Sequence, residues 1–188
     1  LTGVVTFTPN KDFTGTPDPA TVEVKDANGT PTTATYTPTV TPVVPTATPK
    51  ETTGKQGQPQ TQETETMFKQ GDEVAPIDKT TVKLVDPSGN EVTTMPAMKD
   101  GKEVGTYTID PTTGVITFQP NKDFVGTPDA AKVVAKDTNG TKVETTYTPT
   151  VTPVTPTAEP KETTGKQGQP QTQETESMFK QGDEVAPI

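Results

Sequence analysis

The run Gly105-Thr-Tyr-Thr-Ile-Asp110, Pro111-Thr-Thr-Gly114, Val115-Ile-Thr-Phe-Gln119 decides the fold class. Tyr107 and Ile109 fall on one face of an extended chain, and Ile116 and Phe118 on one face of the next. Between them stands a turn of Pro, Thr and Gly. Successive side chains of a strand point to opposite faces, so this alternation predicts two half-buried antiparallel strands. Outward from this pair the pattern continues. Thr80 to Val85 puts Val82 and Leu84 together, and Asp86-Pro87-Ser88-Gly89-Asn90 turns the chain. Ala131, Val133 and Ala135 form another inward set, followed by Val143, Thr145 and Tyr147. Phe124 follows the turn Asn121-Lys122-Asp123, and it completes a predicted core of Tyr107, Ile116, Phe118, Phe124, Val133 and Tyr147. About six short strands with turns between them predict an all-β, Ig-like sandwich.

The turn at Asp137-Thr138-Asn139-Gly140-Thr141 fixes a register. A two-residue Asn-Gly loop would set Ala135 against Glu144 and turn Val143 outward. A three-residue loop, Thr138-Asn139-Gly140, sets Ala135 against Val143 and Val133 against Thr145. A one-residue slip inverts every side chain, so the three-residue loop is expected, with Gly140 at positive φ.

Composition agrees with strands. Val occurs 20 times against 2 Leu, and Thr accounts for 43 of 188 residues. β-Branched side chains suit a pleated surface. Leu, Ile, Val and Phe together make 32 of 188 residues, below the roughly 20% at which disorder enters consideration. The clustering of those residues on faces argues for folded modules. The chain has no Cys, His, Trp or Arg and a net charge of −9. Disulfides, thiol and imidazole chemistry and zinc fingers are thereby removed, and nucleic-acid binding lacks its basic face. No apolar run approaches the ~20 residues of a membrane span.

Residues 1–77 align without a gap to residues 112–188 at an offset of 111, with 61 identical positions. Such a period suits a string of small domains and exceeds the roughly 20–50 residues of solenoid units. The chain therefore reads as a window on a longer array. Residues 1–48 are the C-terminal part of one repeat plus a linker, 49–159 one complete repeat with its sandwich at about 67–151, and 160–188 the N-terminal part of the next. Pro38, Pro42, Pro45 and Pro49 recur as Pro149, Pro153, Pro156 and Pro160. Chain so poor in N–H donors is expected to be an extended, semi-rigid spacer outside the core. Gly54 to Glu65 carries no apolar residue and reads as further linker or a first edge strand. O-glycosylation of the Thr/Pro joints is the competing reading. In 160–188 the sizeable apolar side chains are Met178, Phe179, Val185 and Ile188.

Taken together, Gly105 to Asp110, Gly114 to Pro120, Asp123-Phe-Val-Gly-Thr127, Asp137-Thr-Asn-Gly-Thr141 and Tyr147-Thr-Pro-Thr-Val151 resemble the CshA-type fibril repeat. The resemblance implies tandem β-sandwich modules in cell-wall-anchored fibrillar adhesins of streptococci and related Gram-positive bacteria. It also implies an extracellular location. The family's host attachment is credited to a separate non-repetitive region. Neither that region nor a cell-wall sorting signal can be read in these residues.

Candidate chemistry is sparse. Asp26-x-Asn28-Gly29 and Asp137-x-Asn139-Gly140 hold half of a calcium-loop pattern but lack the further oxygen ligands, so plain turns are expected. Lys83 lies on an early strand, where an internal Lys–Asn isopeptide bond would start. The final strand from Lys142 to Val151 offers no Asn, Asp or Gln to receive one. Glu63 and Glu65 lie in a polar run with nothing to raise their pKa. No catalytic, cofactor-binding or metal-binding residue is expected, and no enzyme. The expected role is a shaft segment presenting a distal binding region, its partners being neighbouring repeats. The alternative is a weak multivalent module that binds host-matrix or partner-bacterium glycoproteins, with Phe68 and Phe179 as its spare aromatics. Nucleic acid and membrane insertion are not expected.

Overall fold

The computed structural model describes residues 3–184 and 186–188. Leu1 and Thr2 of the first segment, and Val185 of the last, lie outside the described residues. In the first segment Ala20–Lys25 (β1) and Pro31–Tyr36 (β2) form a hairpin. The complete unit follows with Thr46–Ala47 (β3), Lys50–Lys55 (β4), Gln60–Gln62 (β5), the single helical turn Thr64–Met67 (α1) and Phe68–Lys69 (β6). Next come Ile77–Val85 (β7), Glu91–Val92 (β8), Thr94–Lys99 (β9), Lys102–Ile109 (β10), Ile116–Pro120 (β11), Ala131–Asp137 (β12) and Lys142–Thr152 (β13). The last segment holds Thr157–Ala158 (β14), a 3-10 turn at Thr175–Ser177 and Phe179–Lys180 (β15).

The fold is an all-β sandwich. One sheet has the order β5-β11-β10-β9 and the other β4-β13-β12-β7-β8. Tyr107, Ile109, Ile116, Phe118 and Ala97 from the first sheet are buried with Val82, Leu84, Ala131, Val133, Ala135, Tyr147 and Val151 from the second. Tyr107 bridges the layers, its ring 5.1 Å from Phe118 and 6.2 Å from Tyr147 between centroids. Such aromatic contacts add to the burial that drives the fold. The β12–β13 register pairs Ala135 with Val143 and Val133 with Thr145, as the parity of the inward residues requires. Gly140 closes the three-residue loop at φ 88°.

Several features depart from the sequence-based expectation. Phe124 is half-buried, packed against the core edge. Val134 alternates with the inward Val133 and Ala135, yet it too is buried. Its cross-strand neighbours are Lys83 and Glu144, whose long stems flank it on the outer face. The sandwich also begins well before residue 67. Lys50–Lys55 runs parallel to β13, and Gln60–Gln62 pairs with β11, so the Gln-rich run supplies an edge strand, one of its two expected readings, and Lys50–Lys55 a second edge. Residues 94–99 form a strand that alternation did not reveal, because Pro96 interrupts it. An edge strand tolerates Pro, and β9 is an edge. Asp100 and Gly101, both at positive φ, make the tight two-residue turn into β10.

Pro149 lies inside β13, a strand flanked on both sides, which the donor argument had disfavoured. Pairing with β12 stops at Tyr147, and an isolated bridge joins Val151 to Gly126. The proline occupies the interval between them, where no antiparallel neighbour calls for an N–H.

Candidate functional site

The turns that begin at Asp26, Asp86 and Asp137 are built alike. Asp26, Asp86 and Asp137 each accept backbone N–H bonds at their Oδ1 from the residues two and four further on, at 2.8–3.0 Å. An Asp carboxylate caps its own hairpin loop in this way, which is how the half-calcium pattern is used. The Asn90 side chain adds a third bond to Asp86 and holds that carboxyl below its ordinary range. Asp137 is buried, and its Oδ2 faces the interior without a partner. Among the described residues no three acidic groups converge on one point.

Lys83 stands on the outer face of β7, its Nζ 3.4 Å from the Thr80 carbonyl oxygen. Glu65 forms an ion pair with Lys79 at the mouth of an open cleft of about 540 Å³, lined also by Thr64, Phe68, Pro76 and Ile77. That lysine holds the Glu65 carboxyl below its ordinary range, the opposite of what a general acid needs. Phe68 is buried in the complete unit, so it is no spare aromatic. Its counterpart Phe179 is exposed.

The first strand of the unit carries a polar cluster that sequence reasoning passed over. Gln60 is buried; its Oε1 accepts the Thr52 hydroxyl at 2.6 Å and its Nε2 donates to the Thr150 carbonyl at 3.0 Å. The Tyr147 hydroxyl lies 2.7 Å from the Thr52 oxygen. Thr64 is also buried, its hydroxyl donating to the Gly114 carbonyl at 2.8 Å. These side chains tie β4 and β5 to the sheets by hydrogen bonds where apolar contact is missing. Burial raises the Tyr147 hydroxyl pKa, the Thr52 bond offsetting it in part, and burial also raises that of Tyr107. Both hydroxyls stay protonated at neutral pH and act as fixed hydrogen-bonding groups. The signal was the alternation of Gln60 and Gln62, with period two but polar side chains.

The strand directions define the unit's ends. Because β4 and β13 are parallel, Lys50 faces Tyr147 and Lys55 faces Thr152. The chain thus enters beside Lys50 and leaves beside Lys55, at opposite ends of one ribbon.

A tandem, all-β module with through-going chain ends is the class of protein that fold and site define. The family model for the surface adhesin CshA repetitive domain matches residues 1–40 and 42–151. The chain belongs to this family of surface adhesin repeats, and its place is the outer surface of a cell. No curated protein matches the sequence. Among the described residues no helix is long and apolar enough to cross a membrane.

Proposed function

We propose that this chain is a shaft segment of a cell-wall-anchored bacterial fibrillar adhesin, which projects a distal binding region from the cell. It is no enzyme in this reading. One observation carries it: β4 and β13, the first and last strands of the five-stranded sheet in chain order, are parallel neighbours. A ribbon of this length displaces the exit from the entry by about 17 Å, at ~3.3 Å per residue. Each further repeat adds in the same sense, so the array gains length with every unit. Antiparallel terminal strands would return the chain to its point of entry. The burial of Phe68 favours the shaft over direct adhesion, since it withdraws the aromatic that a binding patch would have used.

The test is small-angle scattering from arrays of one, two and three complete repeats. A shaft gives a maximum dimension that grows by a constant increment per repeat. A dimension that stays near that of one repeat, with a compact profile, overturns the reading.

A further inference from the structure

The segment between one sandwich and the next is held by backbone contacts at both of its ends. At its start, the Gln56 N–H donates to the Thr152 carbonyl at 2.8 Å, and Gln56 Oε1 accepts the Val154 N–H at 3.3 Å. Both bonds hold the outgoing chain on the unit it leaves. The next residue, Thr155, already touches the following unit: a Cβ at Gly182 would overlap the Thr155 carbonyl oxygen. Thr157–Ala158 then pairs with Phe179–Lys180, and the Glu159 N–H donates to the Met178 carbonyl at 2.7 Å. Lys180 reaches the Glu159 carboxylate at 3.4 Å.

The same docking occurs one repeat earlier. Thr46–Ala47 pairs with Phe68–Lys69, a Cβ at Gly71 would overlap the Val44 carbonyl, and Pro45 is buried. The Pro/Thr segment is therefore a shared strand of the joint, not a spacer. Across the joint, Lys55 of the complete unit forms an ion pair with Asp183 of the next.

We propose that consecutive repeats lock end to end through this joint, with Lys55 of one unit gripping Asp183 of the next and the connecting strand clamped between Gln56 and Gly182. Asp72 occupies the Asp183 position of the complete unit, so it receives the corresponding Lys of a preceding repeat. The joint sets the angle between units, and the repeat carries it to every junction of the array. The inference deepens the shaft reading and rests on it for the consequence that the fibre resists bending.

The chain has no cysteine, so single labels are clean. Spin labels at Thr93→Cys in each of two consecutive complete repeats would report the distance across one joint by pulsed electron resonance. The expected result is one narrow distribution. Lys55→Asp should broaden it by about two-fold, because two carboxylates then face each other, and Lys55→Asp with Asp183→Lys should restore it. Gly182→Ala should broaden it further while amide dispersion shows both units folded. Raising salt to about 1 M should broaden it less than Lys55→Asp does, since a screening length of ~3 Å weakens the attraction without adding a repulsion. A wild-type distribution as broad as that of Gly182→Ala overturns the docked joint. A width indifferent to Lys55→Asp, or a charge reversal that restores nothing, overturns the role of the pair. Scattering on the same samples separates the two readings. A broad distance with undiminished growth in length sinks the joint and leaves the shaft. A narrow distance in a folded-back pair sinks the shaft and leaves the joint.

Discussion

Phe7 and Phe118 hold the same place in the repeat, as do Tyr36 and Tyr147. Phe118 and Tyr147 are fully buried, whereas Phe7 is 36% exposed and Tyr36 40%. Residues 3–41 and 114–152 share the hairpin register, the Asp-capped turn and the positive-φ glycine. Even the bridge after the last strand recurs, Gly15 with Val40 as Gly126 with Val151. The hairpin is thus the same in both copies, whereas Ile116–Pro120 is a strand and its equivalent, residues 5–9, is not, and burial differs as well. The difference lies in Val82, Leu84, Tyr107 and Ile109, which are buried in one cluster with Phe118 and Tyr147. Hairpins here are local, and the core belongs to the whole unit.

The largest effect should come from cutting the copies apart. We propose residues 42–159 as the folding unit, which adds the docked strand at Thr46–Ala47 to the 49–159 expected from sequence. This piece should give a dispersed amide spectrum and cooperative melting. Residues 1–41 alone should give neither, because one hairpin removes too little apolar surface to offset chain entropy. A dispersed spectrum from 1–41 would break the comparison at its root.

Phe118→Ala comes next. Emptying that buried site should cost about 3–5 kcal/mol in chemical denaturation, a large share of a small domain's stability. Phe124→Ala should cost about 1–3 kcal/mol, because that ring is only half-buried. Phe7→Ala in the same 188-residue chain should leave the transition unmoved. Equal losses from Phe7→Ala and Phe118→Ala would show that the first copy has a core of its own.

These contrasts also explain what could be read from the sequence. Strands with apolar alternation, such as those carrying Val82 and Leu84 or Ile116 and Phe118, were legible because period two marks one buried face. The loop at Asn139-Gly140 was legible because parity leaves only one register. Residues 54–65 were legible only as linker or edge strand, and 50–55 not at all, since Thr52 and Gln60 are polar groups satisfied by partners as distant in sequence as Tyr147 and Thr150. Periodicity does not disclose such partners. The Asp100-Gly101 pair did carry a hairpin signal, and Pro96 masked the strand before it. The joint looks like a spacer in sequence because Pro forbids central ladders; two-residue pairings such as Thr46–Ala47 with Phe68–Lys69 ask little of it.

The turn glycines sharpen the local half of the comparison. Gly140 and Gly29 sit at φ 88° and 82°, with open space where a Cβ would go. Strain from positive φ is then the whole effect, about 1–2 kcal/mol for a β-branched residue. Gly140→Val should shift the denaturation midpoint of the complete unit by that amount. Gly29→Val should leave the midpoint alone and weaken only the cross-strand contacts of β1 and β2, read by nuclear Overhauser effects. A shift in the global transition from Gly29→Val would couple two regions that the structure keeps separate.

The smallest effect belongs to a pair that the first copy cannot make. Lys142 reaches Glu91 at 2.8 Å across the five-stranded sheet, and Pro31 stands at the Lys142 position one repeat earlier. The Lys142 ammonium holds the Glu91 carboxyl below its ordinary range, working against a smaller desolvation. A carboxyl depressed in the folded state contributes stability above its unfolded pKa, near 4.3, and loses it as pH falls through the folded value. The two side chains remain 46% and 34% exposed, so solvent screening limits the pair to about 0.2–1 kcal/mol. Glu91→Gln should therefore lower stability by that margin at pH 7 and by nothing well below the folded pKa, where the wild-type carboxyl is also neutral. Lys142→Pro should not be used to mimic the first copy, because it also alters the backbone next to the Asp137 turn. Lys142→Gln removes the charge alone and should match Glu91→Gln, with the double variant no worse than either. Additive losses in that cycle would mean that the two charges act separately on the sheet and that the contact between them contributes nothing.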